Sequence, residues 1–254
     1  MKKNLFIAAT ALVAMVSCSK NEVVEVATPN DNPNAIGLTT GMFVTKSSVT
    51  NTSTLEDYGV TLYSTDDDFG SLAFTHTDKW VTSNNKTWAG VDFPMSVYSM
   101  HDGANVAVTA AAASGTKTDY TVDNDVDKQK DLVYFGKTLA AIPSNGVINA
   151  VYNHALSRVK MTNSTSKSTW TTMVSDVFLK NVDNKGNATI TAASNSVTWT
   201  DLSGTSNSEF DLENYSVDDD MYIIPQTTDT KIKLESGQDY VEALCVVSYK
   251  DGTP

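Results

Sequence analysis

The strongest constraint on the fold of this 254-residue chain is a missing pattern: after Ile36 its apolar residues nowhere recur at the 3.6-residue spacing of an amphipathic helix. They come in short alternating runs separated by Gly, Asn, Asp and Ser clusters, in a background rich in Thr, Ser, Val and Tyr. Ile36, Leu38, Met42 and Val44 share one face of a first run, with Thr40 among them. Tyr58, Val60 and Leu62 do the same, as do Phe93, Met95 and Val97. Further runs cover Val133 to Phe135, Val147 to Tyr152, Val174 to Leu179, Ala188 to Thr191, Met221 to Ile224, Ile232 to Leu234 and Val241 to Tyr249. Ala104 to Ala113 is ambiguous, since its alanines suit a short helix while Val106 and Val108 alternate as in a strand. Asp183-Asn-Lys-Gly186 and Lys250-Asp-Gly252 read as hairpin turns. The pattern is all-β and predicts two β-sandwiches in series. Ser144-Asn145-Gly146 is the candidate junction.

The N-terminus has a different composition. Lys2 and Lys3 precede a 12-residue apolar run, Leu5 to Val16, and then Ser17-Cys18. A positive head, a short apolar segment and a small residue make an export signal, too short to span a bilayer at about 20 residues. Met15-Val16-Ser17-Cys18 resembles a bacterial lipobox, in which the cysteine is acylated and becomes the first mature residue. The alternative is an ordinary secretory signal with an incidental cysteine. The lipobox reading makes 1–17 a lipoprotein signal peptide and Cys18 a palmitate-type anchor site in the outer membrane. Residues 18–35, with Asn30, Asp31, Asn32, Asn34 and two prolines, read as a tether of about 20–25 Å average reach. Domains of 36–145 and 146–254 follow. The chain stops at Pro254, just after a turn, so a further C-terminal strand is expected beyond it.

Charge narrows the partners. The signal contains two of the 18 basic residues, leaving 16 against 30 acidic ones, and Arg158 is the sole arginine. Nucleic acid is excluded, because phosphate recognition needs clustered Lys and Arg. Asp123-x-Asp125-x-Asp127 has the opening spacing of a calcium loop. It has Lys128 where an EF-hand needs Gly and Tyr134 where it needs Glu, so a solvated acidic loop is the simpler reading. Asp66-Asp-Asp68 and Asp218-Asp-Asp220 read as loop charges. His76, His101 and His154 have no ligand spacing, and no nucleophile elbow or phosphate-cradling loop is present. No enzyme, metal or cofactor is expected. His154 reads as a strand residue held by a hydrogen bond, and Cys245 as a small buried hydrophobe. Trp80, Trp88, Trp170 and Trp199 suit core packing, or else a sugar-stacking platform on a surface glycan-binding lipoprotein.

Several local patterns, in order, resemble one family. They are Phe43-Val-Thr-Lys-Ser-Ser-Val49, Leu55-Glu-Asp-Tyr-Gly-Val-Thr-Leu-Tyr63, Trp88-Ala-Gly-Val-Asp-Phe-Pro-Met-Ser-Val-Tyr98, Gln129-Lys-Asp-Leu-Val-Tyr134, His154-Ala-Leu-Ser-Arg-Val159 and Met221-Tyr-Ile-Ile-Pro-Gln226. Together with the lipobox and tether, they resemble the fimbrillin family of lipoprotein pilins (type V pilins, including the Mfa-like members) of Bacteroidales. The resemblance implies two tandem transthyretin-like β-sandwich domains and a fimbrial subunit or adhesin exposed at the cell surface. It also implies other fimbrial subunits as partners, with host or bacterial surface ligands as further candidates. The chain departs from the family by carrying Lys46 where well-studied members have Arg.

The resemblance and the apolar pattern combine into a mechanism. Ile36, Leu38, Met42 and Val44 would bury about 6–12 kcal/mol of gross hydrophobic free energy, comparable with the whole stability of a domain. Gly37, Thr39, Gly41 and Thr45 are expected to face outward. Cleavage between Lys46 and Ser47 would free the strand Ile36 to Val44 and open a groove for a neighbour's strand. The alternative is a permanent edge strand followed by a solvated lysine.

Overall fold

The computed structural model describes residues 20–21, 34–44, 52–82, 84–160, 176–180, 182–204, 209–212, 220–226, 231–236 and 239–243. Among them the strands are β1 (Lys20–Asn21), β2 (Gly37–Val44), β3 (Val60–Tyr63), β4 (Ser71–His76), β5 (Trp80–Thr82), β6 (Met95–His101), β7 (Asn105–Val106), β8 (Thr109–Ala110), β9 (Ser114–Thr121) and β10 (Val133–Leu139). They continue with β11 (Val147–His154), β12 (Ser157–Lys160), β13 (Asp176–Lys180), β14 (Lys185–Thr191), β15 (Ser196–Ser203), β16 (Glu209–Leu212), β17 (Asp220–Ile223), β18 (Lys231–Ser236) and β19 (Asp239–Ala243). The described residues are all-β apart from one short helix and a 3-10 turn at Val126–Lys128.

That helix, α1 (Thr52–Tyr58), corrects the sequence reading. It is one apolar anchor long: Leu55 is fully buried, while Tyr58, expected on a strand face with Val60 and Leu62, is 63% exposed. Gly59 ends it at φ +72°, where a Cβ would lie 2.6 Å from the carbonyl oxygen of Phe74. Across 104–113 the strand alternative holds, as β7 and β8.

The first sheet runs β1-β2-β11-β10-β6-β3-β4-β5. It curls back on itself, because Ala35 bridges Thr87 and Ile36 N–H donates to Lys86 O at 2.9 Å. The roll encloses a core of Ile36, Leu38, Met42, Leu62, Phe74, Val97, Phe135, Ile148 and Tyr152, among others. A second sheet, β15-β14-β9-β8, packs on the outside of the roll. Between them lies a second core containing Tyr98, Met100, Tyr134, Ile190 and Tyr222. β6 and β10 are the wall shared by both cores. All seven residues of β6 are buried, and its alternate side chains serve opposite cores, so it shows no polar face in the sequence.

Close approach of the layers requires glycine. A Cβ on Gly136 of β10 would meet Ile190 Cγ2 at 2.5 Å, and one on Gly115 of β9 would meet Tyr98 Cγ at 2.5 Å.

Strand pairing crosses the expected 145/146 junction three times. β11 joins β2 and β10, and β9 joins β14. Turn chemistry at Ser144-Asn145-Gly146 marks a local bend without revealing which sheet the next strand enters. Asp183-Asn-Lys-Gly186 makes no hairpin either. β13 pairs with β16 and β18, whereas Gly186 sits inside β14 where its pairing with both neighbours shifts register. Lys250-Asp-Gly252 and Cys245 lie outside the described residues.

Candidate functional site

β2 is the element on which the functional expectation rests. It joins the sheet in parallel with β11, in six rungs from Gly37–Val147 to Met42–Tyr152. Among the described residues its other edge pairs with β1 at Phe43 and Val44. Ile36, Leu38, Thr40 and Met42 are 1%, 4%, 3% and 1% exposed, as the apolar pattern predicts. Gly37, Thr39 and Gly41 are buried too, which corrects the expectation that they face outward. Their small size lets the neighbours close over them: a Cβ on Gly37 would approach Val147 Cγ2 to 2.8 Å. The start of the strand is clasped from two sides. Gly146 O, in a turn with φ +68° at Gly146, accepts Gly37 N–H at 2.9 Å and the Trp88 indole N–H at 3.0 Å. Trp88 N–H in turn donates to Asn34 O at 3.0 Å. The side chain of Val44, and Cys18, Lys46 and Ser47 altogether, lie outside the described residues.

The strand that supports β2 is itself loosely joined to the roll. β11 pairs with β10 through two rungs, Val133–His154 and Tyr134–Asn153. Beyond them a side chain stands in for backbone. Asn195, in the β14–β15 turn, accepts Gly136 N–H of β10 at 2.8 Å on its Oδ1 and donates Nδ2–H to Val151 O of β11 at 3.3 Å. Asn105 acts likewise on the sequence Gly59 to Thr61, accepting Thr61 N–H at 2.7 Å and donating to Gly59 O at 3.3 Å. A side-chain amide carries the same donor and acceptor as a peptide group, which suits it to such gaps. Neither asparagine stood out in the sequence, where each looks like ordinary turn composition.

Three of the segments that carried the family resemblance meet at one place. Gln129 accepts Tyr222 N–H at 2.6 Å and donates to Asp123 O at 2.8 Å. Asp131, fully buried, takes His154 Nδ1 at 2.7 Å, and Ala155 N–H donates to Leu132 O at 2.7 Å. Arg158 pairs with Asp220, so Asp220 is a strand partner rather than a loop charge. Gln226 accepts Asp183 N–H at 3.0 Å and returns a bond to Asp183 O at 2.9 Å. This joint has the contacts of a structural tie between the roll and the outer layers.

The remaining candidates are absorbed by the fold. Asp125 N–H and Asp127 N–H donate to the carboxylates of Asp123 and Asp125, and Lys128 pairs with Asp125 at 2.8 Å. Asp66 holds its own loop by accepting from Phe69 N–H and Asp92 N–H. Trp80 and Trp88 are core residues. Trp199 is half-buried against Tyr120 and donates to Ala155 O at 3.0 Å, while Trp170 lies outside the described residues. Burial, with help from Lys130, lowers the pKa of His101 to about 4. Burial raises that of Tyr152, whose hydroxyl donates to Ser99 Oγ at 2.8 Å. Among the described residues no group of three His, Cys, Asp or Glu side chains could hold a metal ion, and no helix is long and apolar enough to cross a membrane.

No family model and no curated protein matches the chain. Two solved structures are similar to it at low identity. A proposed cell adhesion protein of Bacteroides uniformis shares 14% identity at a TM-score of 0.48, over 82% of this chain and 80% of that one. A proposed cell adhesion protein of Bacteroides ovatus shares 12% identity at a TM-score of 0.45, over 82% of this chain and 85% of that one.

Proposed function

We propose that the chain is a surface structural subunit of fimbrial or adhesin type, carried as an outer-membrane lipoprotein through Cys18. Its strand β2 is a removable plug. The observation behind this reading is the seating of β2: a strand buried on both faces, held by one parallel ladder and two end clasps, and followed directly by the Thr-Lys-Ser-Ser stretch. Cleavage between Lys46 and Ser47 would leave β2 attached by noncovalent contacts alone. Its departure would expose Ile148, Ala150 and Tyr152 together with the unpaired edge of β11. An edge of that kind is completed by an incoming strand, with backbone pairing for affinity and side-chain pockets for specificity. A neighbouring subunit is the proposed donor.

The experiment replaces Lys46 with Ala in the full-length protein and follows surface fibres and the N-terminal residue of assembled subunits. Loss of fibres, with uncut precursor accumulating, is the expected result. Normal fibres whose subunits retain 36–44 would overturn the reading. For the anchor, Cys18→Ala is expected to abolish lipid labelling and release the protein from the outer-membrane fraction; unchanged labelling would overturn it.

A further inference from the structure

The hydrogen bonds of Asn195 carry a consequence for β2. β11 holds β2 along one edge in six rungs, yet joins β10 along the other in only two. β2 and β11 therefore form a two-stranded flap, hinged near Tyr134 and Asn153 and clasped at its far end where Ile36 N–H meets Lys86 O and the Trp88 indole meets Gly146 O. Midway along the open seam, the fastening among the described residues is the Asn195 side chain, reaching from β10 to β11. Asn195 sits at φ +46°, a left-handed conformation that Asn tolerates better than most residues. Its turn is tied down on the roll side by Tyr134, whose hydroxyl donates to Asn195 O at 3.3 Å. At the base of the turn, Ala192 N–H donates to Ala113 O at 3.4 Å.

We propose that the turn 192–195 is a latch that closes the β10–β11 seam and so sets how firmly β2 is retained. The biological use of the latch rests on the reading of β2 as a removable plug; the latch itself does not. The coupling runs both ways, as linkage requires. Displacing the β14–β15 hairpin loosens β2, and unseating β2 frees the hairpin tip. The outer layer thereby senses whether β2 is in place.

The test is residue-resolved amide hydrogen exchange on the purified full chain. N195G keeps the left-handed backbone and removes both side-chain bonds. N195D keeps the acceptor for Gly136 N–H and removes the donor to Val151 O. In N195G, amides of 37–42 and 147–152 are expected to exchange at least about tenfold faster, the scale of losing two ordinary hydrogen bonds. Amides of β4 and of the β6–β10 ladder should stay within about twofold of the parent. N195D should fall between. In the reciprocal variant, G37V, exchange at Ser194 to Ser196 should rise. Uniform acceleration across all strands in N195G, or unchanged exchange at 37–42, would overturn the latch. The Lys46→Ala fibre assay is separate, so either idea can fail alone.

Discussion

The indole N–H of Trp88 donates to the carbonyl oxygen of Gly146 at 3.0 Å, and the same oxygen receives Gly37 N–H at 2.9 Å. One buried acceptor thus ties the loop after β5, the turn before β11 and the start of β2. Trp88→Phe removes the indole donor but leaves Gly37 bonded. It should cost about 1–2 kcal/mol in urea unfolding, one buried hydrogen bond plus a small packing loss. Trp88→Ala should cost about 3–5 kcal/mol, the range for emptying an aromatic core site.

Gly136→Ala drives a methyl group into Ile190 Cγ2. The expected penalty is about 1–3 kcal/mol for overpacking between layers. Ile190→Ala removes that methyl and leaves a cavity of its own. In a double-mutant cycle, G136A with I190A should cost less than the two single changes added together. Strict additivity would show that the methyl finds space elsewhere.

Gln129→Ala leaves Tyr222 N–H without its acceptor and Asp123 O without its donor in a buried joint. A loss of about 2–3 kcal/mol is expected from denaturant midpoints. Gln129→Glu keeps the acceptor and should retain more stability than Ala above the carboxyl pKa.

His101 gives the fold an acid limit. Its pKa falls from 6.5 to about 4 in the folded chain, through burial and then Lys130. The unfolded chain therefore binds a proton first as pH drops. This part of the stability is intact above about pH 6.5 and declines at about 1.4 kcal/mol per pH unit down to about pH 4. Asp102 opposes the decline near its lower end, since burial raises its pKa and the folded state holds that proton more tightly. His101→Asn, whose Oδ1 can still accept Gly103 N–H, should flatten the profile across this window. An unchanged slope in that variant would assign the acid sensitivity to other groups.

Local chemistry made the strands readable and left their partners hidden. Met95–His101 and Val133–Leu139 announce themselves through apolar, β-favouring composition, yet nothing local says that each lines two cores. α1 escaped because seven residues with one buried leucine have no periodicity to detect. Gly186 reads as a turn because Asp-Asn-Lys-Gly usually is one; here it marks a register shift inside a strand. Gln129, Asp131, His154 and Gln226 were visible as motif members, but their contacts span up to 93 positions. For the candidate site, the apolar face of β2 was legible and its burial on both faces was not.

That double burial bears on recognition. Along β2 large residues (Ile36, Leu38, Met42) occupy one face and Gly37, Thr39 and Gly41 the other, so size, rather than polarity, encodes its position in the sheet. A one-residue slip would push Leu38 toward Val147, where even a methyl on Gly37 comes within 2.8 Å. The slot works as a gauge that measures side-chain volume at every second step. Any strand that takes the place of β2 must match that spelling, bulky on one side and nearly bare on the other.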